Sequence, residues 1–76
     1  MSLGETIRLT RKKVFLTQED FARKLSVSPA TVIRWEQDKS HPGLKAMKAL
    51  KDFCSEYDVQ YEPIENEWLE LTRRDD

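Results

Sequence analysis

Between Leu16 and Lys39 the chain reads LTQEDFARKLSVSPATVIRWEQDK, and no other stretch restricts its fold as tightly. Thr17 can accept a hydrogen bond from the amide of Asp20, with the Asp20 carboxylate reaching back, which starts a helix over about 18–25. The apolar residues of that helix, Phe21, Ala22 and Leu25, fall on one side. Ser26 and Val27 make a turn. Ser28 is then a favourable N-cap, and Pro29 suits the first helical position, where its missing amide hydrogen costs nothing. The second helix spans about 29–37. At a helical spacing of about 100° per residue it puts Val32, Trp35 and, at the edge, Glu36 on one side. Ala30, Arg34 and Gln37 lie opposite, with Ile33 at their margin. One face packs and the other stays free.

The flanking sequence supplies the rest of a small core. Leu3, Ile7, Thr10 and Val14 form a stripe that predicts a helix over about 3–14. Pro42 and Gly43 mark a loop over 38–43. Leu44, Met47, Leu50 and Cys54, with Ala46 and Phe53 beside them, predict a helix over about 44–56 that closes over the first three, leaving Lys45 and Lys48 outside. Past Tyr57 the pattern changes. Tyr57, Val59 and Tyr61 alternate with polar residues and suggest a short extended segment, and from Pro63 onward Ile64, Trp68 and Leu71 return to helical spacing. The expected fold is therefore all-α, a compact bundle of four to five helices. A domain over 1–56 is followed by an extension over 57–76 that holds a short strand and a helix.

With 76 residues the chain holds one domain and one modest core, leaving no room for an elaborate active site. The net charge of −1 hides a division: residues 1–51 carry 11 basic and 5 acidic side chains, and the remainder 2 basic and 9 acidic. A positive block suits phosphate contacts, whereas an acidic tail is repelled by them. No apolar run approaches a membrane span and the start lacks a signal-peptide stretch, so a cytoplasmic location is expected. Cys54 is the single cysteine and His41 the single histidine, which leaves no disulfide and argues against zinc. Cys54 is read as a buried thiol and His41 as solvated. Glu65 and Glu67 lie in an acidic tail with no nucleophile nearby, so they are read as surface residues. No enzyme and no cofactor are expected.

Ile7, Arg8 and Arg11; Leu16 through Glu19 with Phe21 and Ala22; Val27 and Ser28; Thr31 and Val32; and Arg34 through Glu36 with Lys39 together resemble the Cro/C1-type (XRE-like) helix-turn-helix domain of phage repressors and bacterial regulators, a lambda-repressor-like fold. The resemblance covers 7–53. It implies that Gln18 and the start of its helix meet a phosphate, aided by the helix dipole, and that Ser28, Pro29, Ala30, Thr31 and Arg34 lie at base edges and flanking phosphates of the major groove. Arg34 would donate two parallel hydrogen bonds to a guanine. Lys39 and Lys45 would hold phosphates without reading sequence. Arg11 and Glu36 would form a structural ion pair. Three positions depart from the family pattern, since Phe15, Ser26 and Asp38 stand where it has glycine. Pro29 and Ala30 replace residues that often bond to bases, which shifts readout toward Arg34 and DNA shape.

Those implications point to a sequence-specific DNA-binding transcriptional regulator, a repressor by operator occupancy, with double-stranded DNA as partner. Two other readings stay open. One is the antitoxin of a toxin–antitoxin pair, its acidic tail covering the toxin. The other is a module that keeps the fold but binds protein only. An extended 59–62 cannot be a stable strand alone. It either pairs with its own copy across a two-fold axis, with Val59, Tyr61, Ile64, Trp68 and Leu71 forming a homodimer or partner interface, or folds back on its own chain.

Overall fold

Ser2, three residues before Glu5, makes a reciprocal capping box: its hydroxyl accepts from the Glu5 amide at 3.1 Å, and its own amide donates to the Glu5 carboxylate at 3.0 Å. Those bonds satisfy two of the amides that a helix start leaves unpaired, and they hold the Glu5 carboxyl below its ordinary range. Helix α1 (Leu3–Lys13) follows. The computed structural model describes residues 1–73, so the last three residues of the 57–76 extension lie outside the described residues.

Thr17 caps α2 (Gln18–Leu25) through the Asp20 amide at 3.1 Å. The Asp20 carboxylate does not reach back. It pairs with Arg23 one turn on at 2.8 Å, because its side chain is one methylene shorter than the glutamate of a capping box. Ser28 caps α3 (Pro29–Glu36), with Pro29 in the first turn. Helix α4 (Leu44–Glu56) begins at Gly43 without a side-chain cap, and α5 (Glu62–Thr72) ends the described fold. Among the described residues no helix is long and apolar enough to cross a membrane.

The core gathers Ile7, Phe21, Val32, Trp35, Leu50, Phe53 and Ile64 from all five helices. Phe21 meets Phe53 edge to face at 5.0 Å, and Phe53 stacks on Tyr57 at 4.3 Å, both favoured aromatic arrangements. Thr10 completes the α1 stripe by donating its hydroxyl to the Thr6 carbonyl at 2.9 Å, so burial leaves no polar atom unpaired there. Cys54 is buried, and desolvation pushes its thiol up from 9.0 to about 11.

Two further expectations fail. Leu44 is not core: it is 73% exposed at the first position of α4, while Met47 one turn on is buried. The segment 59–62 is not a strand, and no strand occurs among the described residues. After α4, Asp58 turns left-handed at φ 55, the Asp58 amide bonds to Ser55 and the Val59 amide to Cys54. That is a Schellman ending, and it sends the chain straight back into α5.

The same ending closes α1, α2 and α3. In each, a left-handed residue is followed by an amide that reaches back five residues: Leu16 to Arg11, Val27 to Ala22, Lys39 to Arg34. The left-handed residues are Phe15, Ser26 and Asp38 at φ 60, 59 and 58. Glycine is the residue that takes this conformation freely, yet both glycines of the chain are elsewhere. Gly4 is needed for another reason. A side chain there would collide with the Trp35 carbonyl and come within 2.8 Å of Asp38.

The return places α5 against α1. Ile64 is fully buried, the Trp68 indole donates to the Pro42 carbonyl at 2.7 Å, and the Tyr61 hydroxyl donates to the Met47 carbonyl at 3.4 Å. Val59, Tyr61 and Trp68 are partly buried against the core. Of the two arrangements the sequence leaves open for these residues, the structure has the fold-back on their own chain. Ile64 has no surface to offer a second chain, Val59, Tyr61 and Trp68 are spent largely within the protomer, and Leu71 is the member left about half exposed.

Candidate nucleic-acid interface

Two inward residues, Val32 and Trp35, fix the rotation of α3. With these buried, Pro29, Ala30, Ile33, Arg34 and Gln37 are turned to solvent and Thr31 is half-buried. Ser28 holds the start of this face in order. Its hydroxyl accepts from the Thr31 amide at 3.1 Å and lies 2.9 Å from the Thr31 hydroxyl. Both hydroxyls thus sit side by side at the exposed N-terminus of α3, where the helix dipole favours an anion.

The single acid within α3 is Glu36, and it is withdrawn. Arg11 of α1 donates to it twice, from Nε to Oε2 at 2.7 Å and from Nη2 to Oε1 at 3.0 Å. The same guanidinium donates to the Leu16 carbonyl at 2.9 Å. Side-chain exposure is 11% for Arg11 and 4% for Glu36. A bidentate pair this deep ties α1, the α1–α2 turn and α3 into one unit. Gln18, the first residue of α2, donates to Glu36 Oε1 at 3.0 Å. It is half-buried, so its side chain is positioned by the ion pair. Thr17 satisfies the Asp20 amide and its carbonyl the Phe21 amide, which leaves the first amides of α2 facing outward.

Arg34 is exposed, and its guanidinium lies 3.5 Å from the Lys39 carbonyl, too far to hold it firmly. Lys39 and Lys45 are exposed, the first just past α3 and the second in the first turn of α4. The surface built from these residues offers hydrogen-bond donors and positive charge, with a few apolar atoms at Pro29, Ala30 and Ile33. Such a surface suits phosphates and the acceptor-rich edge of guanine.

One contributor escapes the sequence reading. Asp38, left-handed after α3, accepts from the Gly4 amide at 2.9 Å and from the Ser2 hydroxyl at 2.7 Å. The C-terminal end of α3 is therefore clasped to the N-terminus of α1. The S-x-x-E pattern at 2–5 signals the α1 cap, but nothing local links it to a residue 36 positions away. Among the described residues no cluster of side chains has the makings of a metal site.

The α2–turn–α3 unit with its polar, basic outer face lies inside the span 7–55, which matches the family model for helix-turn-helix domains. Over 55 residues the chain is 33% identical to the HTH-type transcriptional activator BcrR of Enterococcus faecalis, an alignment that covers 72% of this chain and 27% of that protein. The chain thus spans little more than a quarter of that relative's length. No solved structure matches it. Motif, architecture and matched span agree, and the chain belongs to the helix-turn-helix family of the Cro/C1 type.

Proposed function

We propose that this protein is a cytoplasmic, sequence-specific DNA-binding transcriptional regulator that acts by occupying an operator. The observation that carries the reading is the outer face of α3, where Arg34 is free while Glu36 is turned inward and neutralised by Arg11. In this reading α3 enters the major groove, with Arg34 bidentate to a guanine. Ser28, Pro29, Ala30 and Thr31 meet base edges and the adjoining phosphates. Gln18 at the start of α2, Lys39 and Lys45 hold the backbone on either side. A homodimer would address two half-sites about one DNA turn apart. The relative is named an activator. Repression is the outcome proposed for this chain, since a bound helix-turn-helix domain covers the DNA it occupies.

Two substitutions separate reading from holding. Arg34→Ala is expected to cost about 1–3 kcal/mol on the preferred site and to flatten discrimination at one base pair per half-site. Lys39→Ala is expected to weaken all sequences alike. Selection from a random duplex pool followed by binding titrations measures both. Equal losses for Arg34→Ala on selected and random DNA reduce Arg34 to a phosphate contact, and no binding at low salt favours a module that binds protein only.

A further inference from the structure

Beside the reading face, and sharing only Thr31 and Lys45 with it, lies an open groove of about 880 Å³. Its walls include Leu25, Val27 and Trp35 on one side and Leu44, Ala49 and Phe53 on the other. Leu44, 73% exposed, stands at its edge, and an apolar side chain this open beside an apolar groove marks an interaction surface.

The charges along the groove say what fits it. Lys45, Ala49, Asp52 and Glu56 follow one another at helical spacing on the groove side of α4, with Lys48 beside them. The stripe is positive at its start and negative at its end. Such an order is self-complementary when two copies meet antiparallel, as a two-fold interface requires. With the axis between Lys48 and Ala49, Lys45 of one copy faces Asp52 of the other, and Leu44 faces Phe53 on the groove wall. Lys45 and Asp52 are opposite in charge, Leu44 meets an apolar wall, and at the axis a lysine stem lies over alanine. A uniformly acidic or basic partner would meet repulsion at one end.

We infer that this groove is the homodimer interface of the protein, formed by antiparallel packing of α4 on α4 of a second copy, with Leu44 as its apolar anchor. The inference rests on the homodimer of the preceding reading and not on its DNA contacts. It replaces the α5 surface, most of which is spent in the protomer core. Lys45 sits where the two surfaces meet, and its ammonium has three donors, enough for Asp52 of the other copy and a phosphate together.

Sedimentation of the full chain without DNA, from micromolar to millimolar concentration, tests this. The wild type is expected to pass from monomer to dimer. Asp52→Lys sets lysine against Lys45 and is expected to weaken self-association roughly tenfold or more, while circular dichroism stays native because Asp52 is exposed. The double variant Lys45→Glu with Asp52→Lys reverses both charges and is expected to recover the dimer. Leu44→Asp is expected to abolish it. A chain that stays monomeric throughout, an Asp52→Lys variant that dimerises like the wild type, or a double variant that fails to recover overturns the inference. Affinity for a single half-site, measured on the wild type and on Asp52→Lys, reports on the DNA reading separately, since Asp52→Lys leaves every residue assigned to DNA in place.

Discussion

Phe15 and Asp38 share a backbone conformation, φ 60 and 58, at corresponding points of two helix endings, yet their side chains play opposite parts. Phe15 is 93% exposed and none of its side-chain atoms is needed for the turn. Asp38 accepts from the Gly4 amide and the Ser2 hydroxyl. A left-handed L-residue costs roughly 1–2 kcal/mol, part of which glycine returns as unfolded-chain entropy. Phe15→Gly is therefore expected to stabilise the protein by about 0.5–1 kcal/mol. Asp38→Gly frees the same strain but strands the Gly4 amide and loses a charged acceptor, for a net loss of about 1 kcal/mol. Urea midpoints of the two variants check the pair of signs. Two shifts in the same direction would mean that the Asp38 clasp contributes nothing.

At the scale of elements, the Arg11–Glu36 pair joins α1 to α3 and carries Gln18 of α2 with it. Glu36→Ala leaves a guanidinium buried without its carboxylate, a change that costs about 3 kcal/mol or more. Glu70→Ala removes only an exposed partner of Arg73, where surface pairs contribute about 1 kcal/mol or less. Thermal midpoints are expected to drop far more for the first than for the second, and matching midpoints would contradict the joining role. The helices themselves are legible in the sequence because their signals are local: Thr17, Ser28 and Pro29 announce starts, and the stripes of Phe21, Val32 and Met47 announce inward faces. The segment that follows α4 is not legible in the same way. Alternation at Tyr57, Val59 and Tyr61 mimics a strand, and the turn that defeats it rests on Asp58, a residue without the glycine that normally marks such an ending. Leu44 also misleads, since its spacing fits the core stripe while its place at the very start of α4 leaves it exposed.

For the whole molecule, the question of whether residues beyond Tyr57 are separable has a physical answer in Ile64, Trp68 and Tyr61, which seat α5 on α1, α4 and the loop at Pro42. Emptying a fully buried isoleucine site alone costs about 2–5 kcal/mol, a large part of the stability of a domain this small. Truncation after Tyr57 is expected to leave a chain that is largely unfolded at room temperature by circular dichroism. A cooperative, native-like transition in the truncated chain would show that α5 is an accessory. The division of charge has its place here as well: basic Lys39, Lys45 and Arg34 border the reading face, while the acidic residues of α5 lie on a helix packed against α1. In the proposed reading the base pairs that α3 would contact are not legible from one chain, because Pro29 and Ala30 offer no hydrogen-bonding side chain and would leave that choice to Arg34 and to the deformability of the duplex.

The most direct test of the account is the salt dependence of binding to a selected duplex. If α3 lies in the major groove with Lys39, Lys45 and the start of α2 on phosphates, the logarithm of the association constant falls linearly with the logarithm of salt concentration, by about 0.9 for each phosphate neutralised. Removing Lys39 then lowers that slope by about one phosphate, while removing Arg34 chiefly erases preference for the selected sequence. Binding that is absent at low salt, or that stays unchanged up to physiological salt, contradicts the account at its centre.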